Sequence, residues 1–99
     1  MIVIIGTIRI DPRQRAATLA AMQAMIGASR AEPGCRRYGY AEDVLEAGLI
    51  HVHEVWDDAD SLAVHFASPH IAAWRAQWPA LGIHDRNLVR YSADAGTPT

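Results

Sequence analysis

The chain opens with a run of β-branched and other apolar residues, which predicts a first strand over residues 1–10. Side chains alternate between the two faces of a strand. One face of this strand carries Ile2, Ile4, Ile8 and Ile10, and the other carries Val3, Ile5 and Thr7. Because both faces are apolar, we expect both to be covered, one by a helix layer and the other by a second subunit.

A helical pattern follows from residue 12 to about residue 30. Asp11 is suited to the N-cap position and Pro12 to the first helical position. An amphipathic stripe at helical spacing predicts the side that packs on the core, and it comprises Leu19, Met22 and Ile26. The segment Glu32-Pro33-Gly34-Cys35 then ends the helix, because neither proline nor glycine continues it well.

Two further strands are predicted at residues 35–43 and 49–56, with a turn at 44–48 between them. Alternation in the later strand places Ile50, Val52, Glu54 and Trp56 on one face, and His51, His53 and Val55 on the other.

Two short helices should come next, over about 59–67 and 69–78. The first is capped by Asp57-Asp58 and the second by Ser68-Pro69. Residues 79–85 show no period and are predicted to be a loop, and residues 86–91 a last strand.

The resulting order is β-α-β-β-α-β with the second helix broken in two. This order predicts an α+β fold of the ferredoxin-like, split βαβ type, with a four-stranded antiparallel sheet. In a chain of 99 residues we expect a single domain over 1–92 and a flexible tail over 93–99.

Composition narrows the possible partners. The hydrophobic fraction of 51% is slightly high for a small soluble domain and favours a homodimer. A net charge of −2, with arginines spread along the chain, argues against nucleic-acid binding. One cysteine, Cys35, excludes an intramolecular disulfide and a cysteine-rich metal site. With no run long enough to cross a membrane and no signal-peptide pattern at the start, we expect a cytoplasmic protein.

Histidines are the first candidates for chemistry. His51 and His53 point the same way, but no third metal ligand is evident there, so an exposed or interface pair is the favoured interpretation. His65 lies on the apolar side of its helix, either as a hydrogen-bonded core residue or as a base. Glu54 favours the second possibility, because a carboxylate among apolar neighbours needs a partner and could orient the imidazole.

A second cluster is aromatic. His70, Trp74 and Trp78 recur at four-residue spacing along one helical side. Such a stripe either packs in the core or offers a flat surface to an aromatic ligand.

Three stretches together resemble the antibiotic biosynthesis monooxygenase family. They are Glu32-Pro33-Gly34-Cys35 followed by Tyr38, then Glu54-Val55-Trp56-Asp57-Asp58, then His65-Phe66-Ala67-Ser68-Pro69-His70. The resemblance extends from Met1 to Tyr91. It implies a dimeric α/β barrel in which two four-stranded sheets pack face to face.

The resemblance also implies an activity. Members of the family include small monooxygenases that oxidise phenols, anthrones or quinols with O₂ and without metal, flavin or haem. It implies no cofactor here, with His65 as base or proton shuttle and Glu54 as its partner. The walls of the substrate slot would be Trp56, Tyr38, His70 and Trp74.

Other functions remain open. The chain could be a non-catalytic module that binds an aromatic metabolite or only dimerises. Related haem-degrading enzymes use an Asn, a Trp and a His where a rough alignment places Gly6, His65 and Arg75. All three residues differ, which argues against haem degradation, although His70 and Trp74 lie close enough to leave it as an alternative. Relatives that isomerise phosphorylated sugars need a phosphate-binding site, and neither a Gly-rich loop nor an arginine cluster indicates one.

Overall fold

A computed structural model describes residues 1–99 as one four-stranded antiparallel sheet with its helices packed on one face. The strands are β1 (Ile2–Arg9), β2 (Cys35–Glu42), β3 (Leu49–Trp56) and β4 (His84–Ser92), and the helices are α1 (Arg15–Arg30), α2 (Ala59–Phe66), α3 (Pro69–Ala76) and α4 (Trp78–Leu81). The strand order is β2-β3-β1-β4, and every neighbouring pair is antiparallel. The predicted α+β, ferredoxin-like class is therefore confirmed.

The helix starts follow from side chains that accept hydrogen bonds from free backbone N–H groups. The carboxylate of Asp58 accepts from the N–H of Ser61 at 2.8 Å at the start of α2. Asp11 does cap a helical turn, by accepting from the N–H of Arg13 at 3.0 Å, but this turn is a short 3₁₀ segment, Pro12–Gln14. The α-helix proper therefore begins three residues later than predicted.

The predicted loop at 79–85 is the largest local difference. The chain instead forms the single turn α4, which ends at Gly82 in the left-handed conformation (φ 71°). Glycine adopts that conformation without steric strain, and it is a common helix terminator. The last strand then starts at His84, two residues before its predicted start. Residues 93–99 form neither helix nor strand.

The inner face of the sheet packs against the helices and forms the core. From the sheet the core takes Ile4, Ile8, Tyr38, Ile50, Val52 and Trp56, and from the helices it takes Met22, Met25, Leu62, Ile71, Trp74 and Leu81. The buried side of α1 differs from the predicted stripe. Its fully buried residues are Thr18, Met22, Met25 and Ser29, whereas Leu19 and Ile26 are half-buried at its edge.

The outer face of the sheet has no cover within one chain. Ile5, Val89 and Tyr91 lie on this face and are 54%, 45% and 51% exposed. His51 and His53 point to the same side and are exposed, as the alternation predicts. None of the helices combines the length and apolar character needed to cross a bilayer.

Candidate active site

A cleft between the inner face of the sheet and helices α2–α4 brings most of the predicted site residues together. Its apolar walls are Tyr38, Tyr40, Phe66, Ile71, Trp74, Trp78 and Leu88, and its polar groups are Glu54, His65, Arg75 and Arg86. The cavity inside the cleft is small. The volume open to the centres of water molecules is about 20 Å³, which is room for one or two waters.

His65 lies at the inner end of this cleft and is 1% exposed. Its Nδ1 is 2.7 Å from Oε2 of Glu32, which lies in the turn between α1 and β2. The N–H of Asp57 donates to the carbonyl of Gly34 at 2.9 Å, which ties this turn to the residues that lead into α2. A carboxylate accepts hydrogen bonds, so Nδ1 carries a proton, and in the neutral ring Nε2 then keeps its lone pair.

The nearest partner of His65 is therefore Glu32, and not Glu54 as predicted from the sequence. Oε1 of Glu54 lies 3.9 Å from Nε2 of His65, too far for a hydrogen bond. The imidazole thus stands between two carboxyl groups, bonded to one and facing the other across a short gap.

Glu54 is 3% exposed, and its Oε1 accepts a hydrogen bond from Nε1–H of Trp56 at 3.0 Å. Burial raises the pKa of Glu54, because it disfavours the charged form. The indole N–H of Trp56 and the guanidinium groups of Arg86 and Arg75 oppose that rise in pKa.

Burial lowers the pKa of His65 below its ordinary value, and the hydrogen bond that Nδ1–H donates to Glu32 only partly opposes this. The imidazole is consequently neutral at pH 7. A neutral imidazole with an oriented Nδ1–H and a free Nε2 can accept a proton from a bound molecule.

The aromatic residues predicted to form the slot take different places. Tyr38 and Trp74 line the cleft, and burial raises the pKa of the Tyr38 phenol, which stays protonated. Trp56 is completely buried and packs behind His65, with 4.5 Å between the ring centroids, so it supports the imidazole without lining the cleft. Two indole N–H groups, of Trp74 and Trp78, are buried without a hydrogen-bond partner.

His70 does not line the cleft. Its Nε2 is 3.4 Å from Oε1 of Glu32, on the far side of the carboxylate from His65. The predicted role of His70 as a wall of the slot therefore has no support in this geometry.

Sequence reasoning assigned no role to Glu32, Arg75 or Arg86. Arg75 lies over the ring of Phe66, with Cζ 5.4 Å from the centroid, and both arginines are at the mouth of the cleft. In the sequence, Glu32 stands out only as part of a turn motif, 33 residues before His65, the residue whose Nδ1–H hydrogen bond it accepts.

The sequence pattern of the family described as "Antibiotic biosynthesis monooxygenase" matches residues 1–77. This chain belongs to that family. The matched region contains Glu32, Glu54, His65 and His70, and it stops before α4 and β4.

Two bacterial relatives match most of the chain. The chain is 30% identical over 90 residues to "Putative monooxygenase YcnE" of Bacillus subtilis, covering 91% of this chain and 95% of the relative. It is 34% identical over 80 residues to the uncharacterized protein sll1783 of Synechocystis, covering 81% of this chain. It spans only 54% of the length of that Synechocystis protein.

Solved structures show the same fold. A family member from Deinococcus radiodurans superposes with a TM-score of 0.92 over 100% of this chain and 98% of its own, at 23% identity. The structure of Rv0793 from Mycobacterium tuberculosis gives a TM-score of 0.79 at 29% identity, over 99% and 98% of the two chains.

Proposed function

We propose that this chain is a cofactor-independent monooxygenase that oxidises a small electron-rich aromatic compound, a phenol, quinol or anthrone, with O₂. The observation that carries the proposal is the buried imidazole of His65. Its Nδ1–H is held by Glu32, and its Nε2 lies on the side of Glu54 and the aromatic cleft. This arrangement orients a base toward a site that suits an aromatic ring.

In the first step, Nε2 of His65 takes the acidic proton of the substrate, from a phenol O–H or from the enol form of an anthrone. The Glu32 carboxylate stabilises the imidazolium that forms. A buried cleft with few waters raises the reactivity of the resulting anion, because the anion loses hydration that would stabilise it. The arginines at the mouth, Arg75 and Arg86, attract the anionic form.

The electron-rich anion then transfers an electron to O₂, and the radical pair combines to form a carbon–oxygen bond. The peroxide accepts the proton that His65 holds. Its O–O bond then breaks while the carbon that carries it loses its C–H proton, which forms the carbonyl and releases water. The substrate gives up four electrons in total. One oxygen atom remains as a carbonyl and the other leaves in water, so the balance needs no reductant and no bound cofactor.

The walls of the cleft support an aromatic substrate. The unpaired indole N–H groups of Trp74 and Trp78 offer hydrogen bonds to an oxygen of such a molecule. Because the enclosed space holds only one or two waters, a ring enters only when wall residues move. Phe66 and Trp78, both half-buried at the surface, are the side chains best placed to do so.

The test is O₂ consumption by chelator-treated protein with a panel of quinols, phenols and anthrones. We expect turnover with at least one of them, and a loss of about 10²–10⁴-fold in kcat for His65→Ala, because a positioned base contributes about that much. His53→Ala, on the outer face of the sheet, is the matched control and should retain the wild-type rate.

Equal rates for His65→Ala and wild type would remove His65 from the mechanism. If tryptophan fluorescence is quenched by these compounds while no O₂ is consumed, the chain is instead an aromatic-binding module.

We propose further that the outer face of the sheet packs against a second copy of the chain. The support is its exposed apolar side chains, with Ile5, Val89 and Tyr91 each close to half exposed in the single chain. In sedimentation at micromolar concentration we expect twice the mass of 10.8 kDa, and Ile5→Glu should shift the protein to monomer. A wild-type monomer would contradict this proposal.

A further inference from the structure

Behind the proposed base, three side chains from three parts of the chain converge. Glu32 comes from the turn after α1, His65 from α2 and His70 from α3. Oε2 of Glu32 is 2.7 Å from Nδ1 of His65, and Oε1 of Glu32 is 3.4 Å from Nε2 of His70. One atom from each residue can be chosen so that all three lie within 4.8 Å of one another.

The hydrogen bonding of this cluster is incomplete. Nε2 of His70 is buried and has no hydrogen-bond partner, although the Glu32 carboxylate lies nearby, because the geometry between them is unsuitable. Buried polar atoms in native proteins nearly always have a partner. A bound cation would use the unpaired nitrogen and would be shared with the carboxylate.

We propose that Glu32, His65 and His70 bind one divalent transition-metal ion of the Zn²⁺ or Co²⁺ type. Two imidazole nitrogens and one carboxylate oxygen are a common ligand set for such ions, with water in the remaining position. Bonds of about 2.0–2.1 Å in a tetrahedral arrangement place ligand atoms roughly 3.3 Å apart. Each nitrogen lies 2.7 or 3.4 Å from one of the two Glu32 oxygens, and one ligand atom from each residue lies within 4.8 Å of the others, so side-chain rotations are needed to complete the site.

Two of the three ligands lie nearer the surface than the third. The side chains of His70 and Glu32 are 22% and 13% exposed, whereas that of His65 is 2% exposed. The shortest way in for an ion is therefore past His70 and Glu32, with His65 met last.

The position of the ion relative to the cleft indicates its effect. It binds Nδ1 of His65, whereas Glu54 and the cleft lie on the side of Nε2. The ion is thus separated from a bound substrate by the imidazole ring, which is not the position of a catalytic metal.

The effect of the ion on catalysis rests on the proposed function. An ion on Nδ1 takes the place of the proton there, and the neutral ring then carries its proton on Nε2. His65 changes from a proton acceptor to a donor toward the cleft, so the bound ion inhibits the proposed oxidation.

The test is a titration of the chelator-treated full chain with Co²⁺, followed by its visible d–d absorption and reversed by Zn²⁺. We expect saturation at one ion per chain at micromolar Co²⁺. His70→Asn and Glu32→Gln should each weaken binding at least about tenfold. Circular dichroism checks that His70→Asn, at a half-buried position, keeps the fold.

The matched control is the double variant His51→Asn/His53→Asn, which removes the two histidines of the outer face and should bind Co²⁺ like wild type. No saturable absorption at micromolar Co²⁺, equal binding by His70→Asn and wild type, or loss of binding in the control variant would each overturn the proposal.

Binding is measured without substrate, so a failed oxidation assay leaves this result intact. Where turnover is found, Zn²⁺ should lower it in wild type, and the turnover of His70→Asn should be the same with and without Zn²⁺. Inhibition of both proteins to the same extent would overturn the inhibitory role of the site.

Discussion

The two faces of the sheet are built from the same strands by the same alternation, and they differ in how far one chain completes them. On the inner face, Ile8 of β1 is fully buried and Glu54 of β3 has a hydrogen-bond partner. On the outer face, Ile5 is 54% exposed and His53 lies in solvent. The side chains of the inner face are therefore buried by contacts within the chain, whereas those of the outer face can be buried only by another molecule.

Truncating one isoleucine on each face gives the largest contrast. Ile8→Ala should lower the free energy of unfolding by about 2–5 kcal/mol, because it leaves a cavity in the core. Ile5→Ala should lower it by less than about 1 kcal/mol at low protein concentration, since half of that side chain is already in water. Urea unfolding at several protein concentrations measures both. Equal losses at every concentration would contradict the distinction between the faces.

Two strand glycines provide a second pair. A Cβ at Gly6 would overlap the backbone carbonyl of Asn87 and lie 2.7 Å from Cα of Leu88, so β4 would have to move. A Cβ at Gly39 would overlap only the ring of His53, a side chain that can swing into solvent. In thermal unfolding, the free energy of unfolding should fall by about 1–3 kcal/mol for Gly6→Ala and by less than about 1 kcal/mol for Gly39→Ala. A smaller effect for Gly6→Ala than for Gly39→Ala would mean that β1 and β4 are farther apart than described.

Polar contacts should show the same contrast. Trp56→Phe leaves the buried Glu54 without its hydrogen-bond donor, which should lower stability by about 1–3 kcal/mol and raise the pKa of Glu54 further. Carboxyl NMR and urea unfolding measure the two effects. On the outer face, His51→Gln removes an exposed contact to Asp43 and should shift the unfolding midpoint less. An unchanged Glu54 pKa in Trp56→Phe would contradict the role of this hydrogen bond in setting that pKa.

The smallest effect concerns Glu42 at the rim of the inner face. The guanidinium of Arg15 and the N–H of Gly48 lower the pKa of Glu42 from 4.5 to about 2. Its folded pKa lies below its unfolded value, so its contribution to stability is complete above pH 4.5 and is lost as the pH falls toward 2. The free energies of unfolding of wild type and Glu42→Gln, measured with urea, should therefore differ above pH 4.5 and converge as the pH falls toward 2. A constant difference across it would exclude this linkage.

The inner face was largely predictable from the sequence, because strand alternation puts Ile4 and Ile8 on one face of β1, and Glu54 and Trp56 on one face of β3. Helix caps such as Asp58 were predictable for a similar reason, since capping is local. The partner of His65 was not. Glu32 lies in a turn, and no periodicity relates a turn residue to a helix that begins 27 residues later (Ala59).

Helix α4 could have been predicted. Pro79 near its start and Gly82 just past its end are ordinary signals for the beginning and end of a helix. They were outweighed by the absence of an apolar period, which a single turn is too short to display. The exclusion of Trp56 from the cleft wall depends on how deeply its ring is packed against His65, which alternation along a strand does not encode.

The small enclosed volume of the cleft also has a consequence for rates. Room for one or two waters is far less than an aromatic ring occupies, so the proposed aromatic substrate does not fit until the walls move. Only the molecules whose cleft walls have moved apart can then bind the ligand, and the apparent affinity is reduced in proportion to their fraction. In stopped-flow experiments, the observed association rate should level off with rising ligand concentration at the rate of opening. Turnover at saturating substrate would then be limited by the motion of the cleft walls whenever that motion is slower than the chemistry.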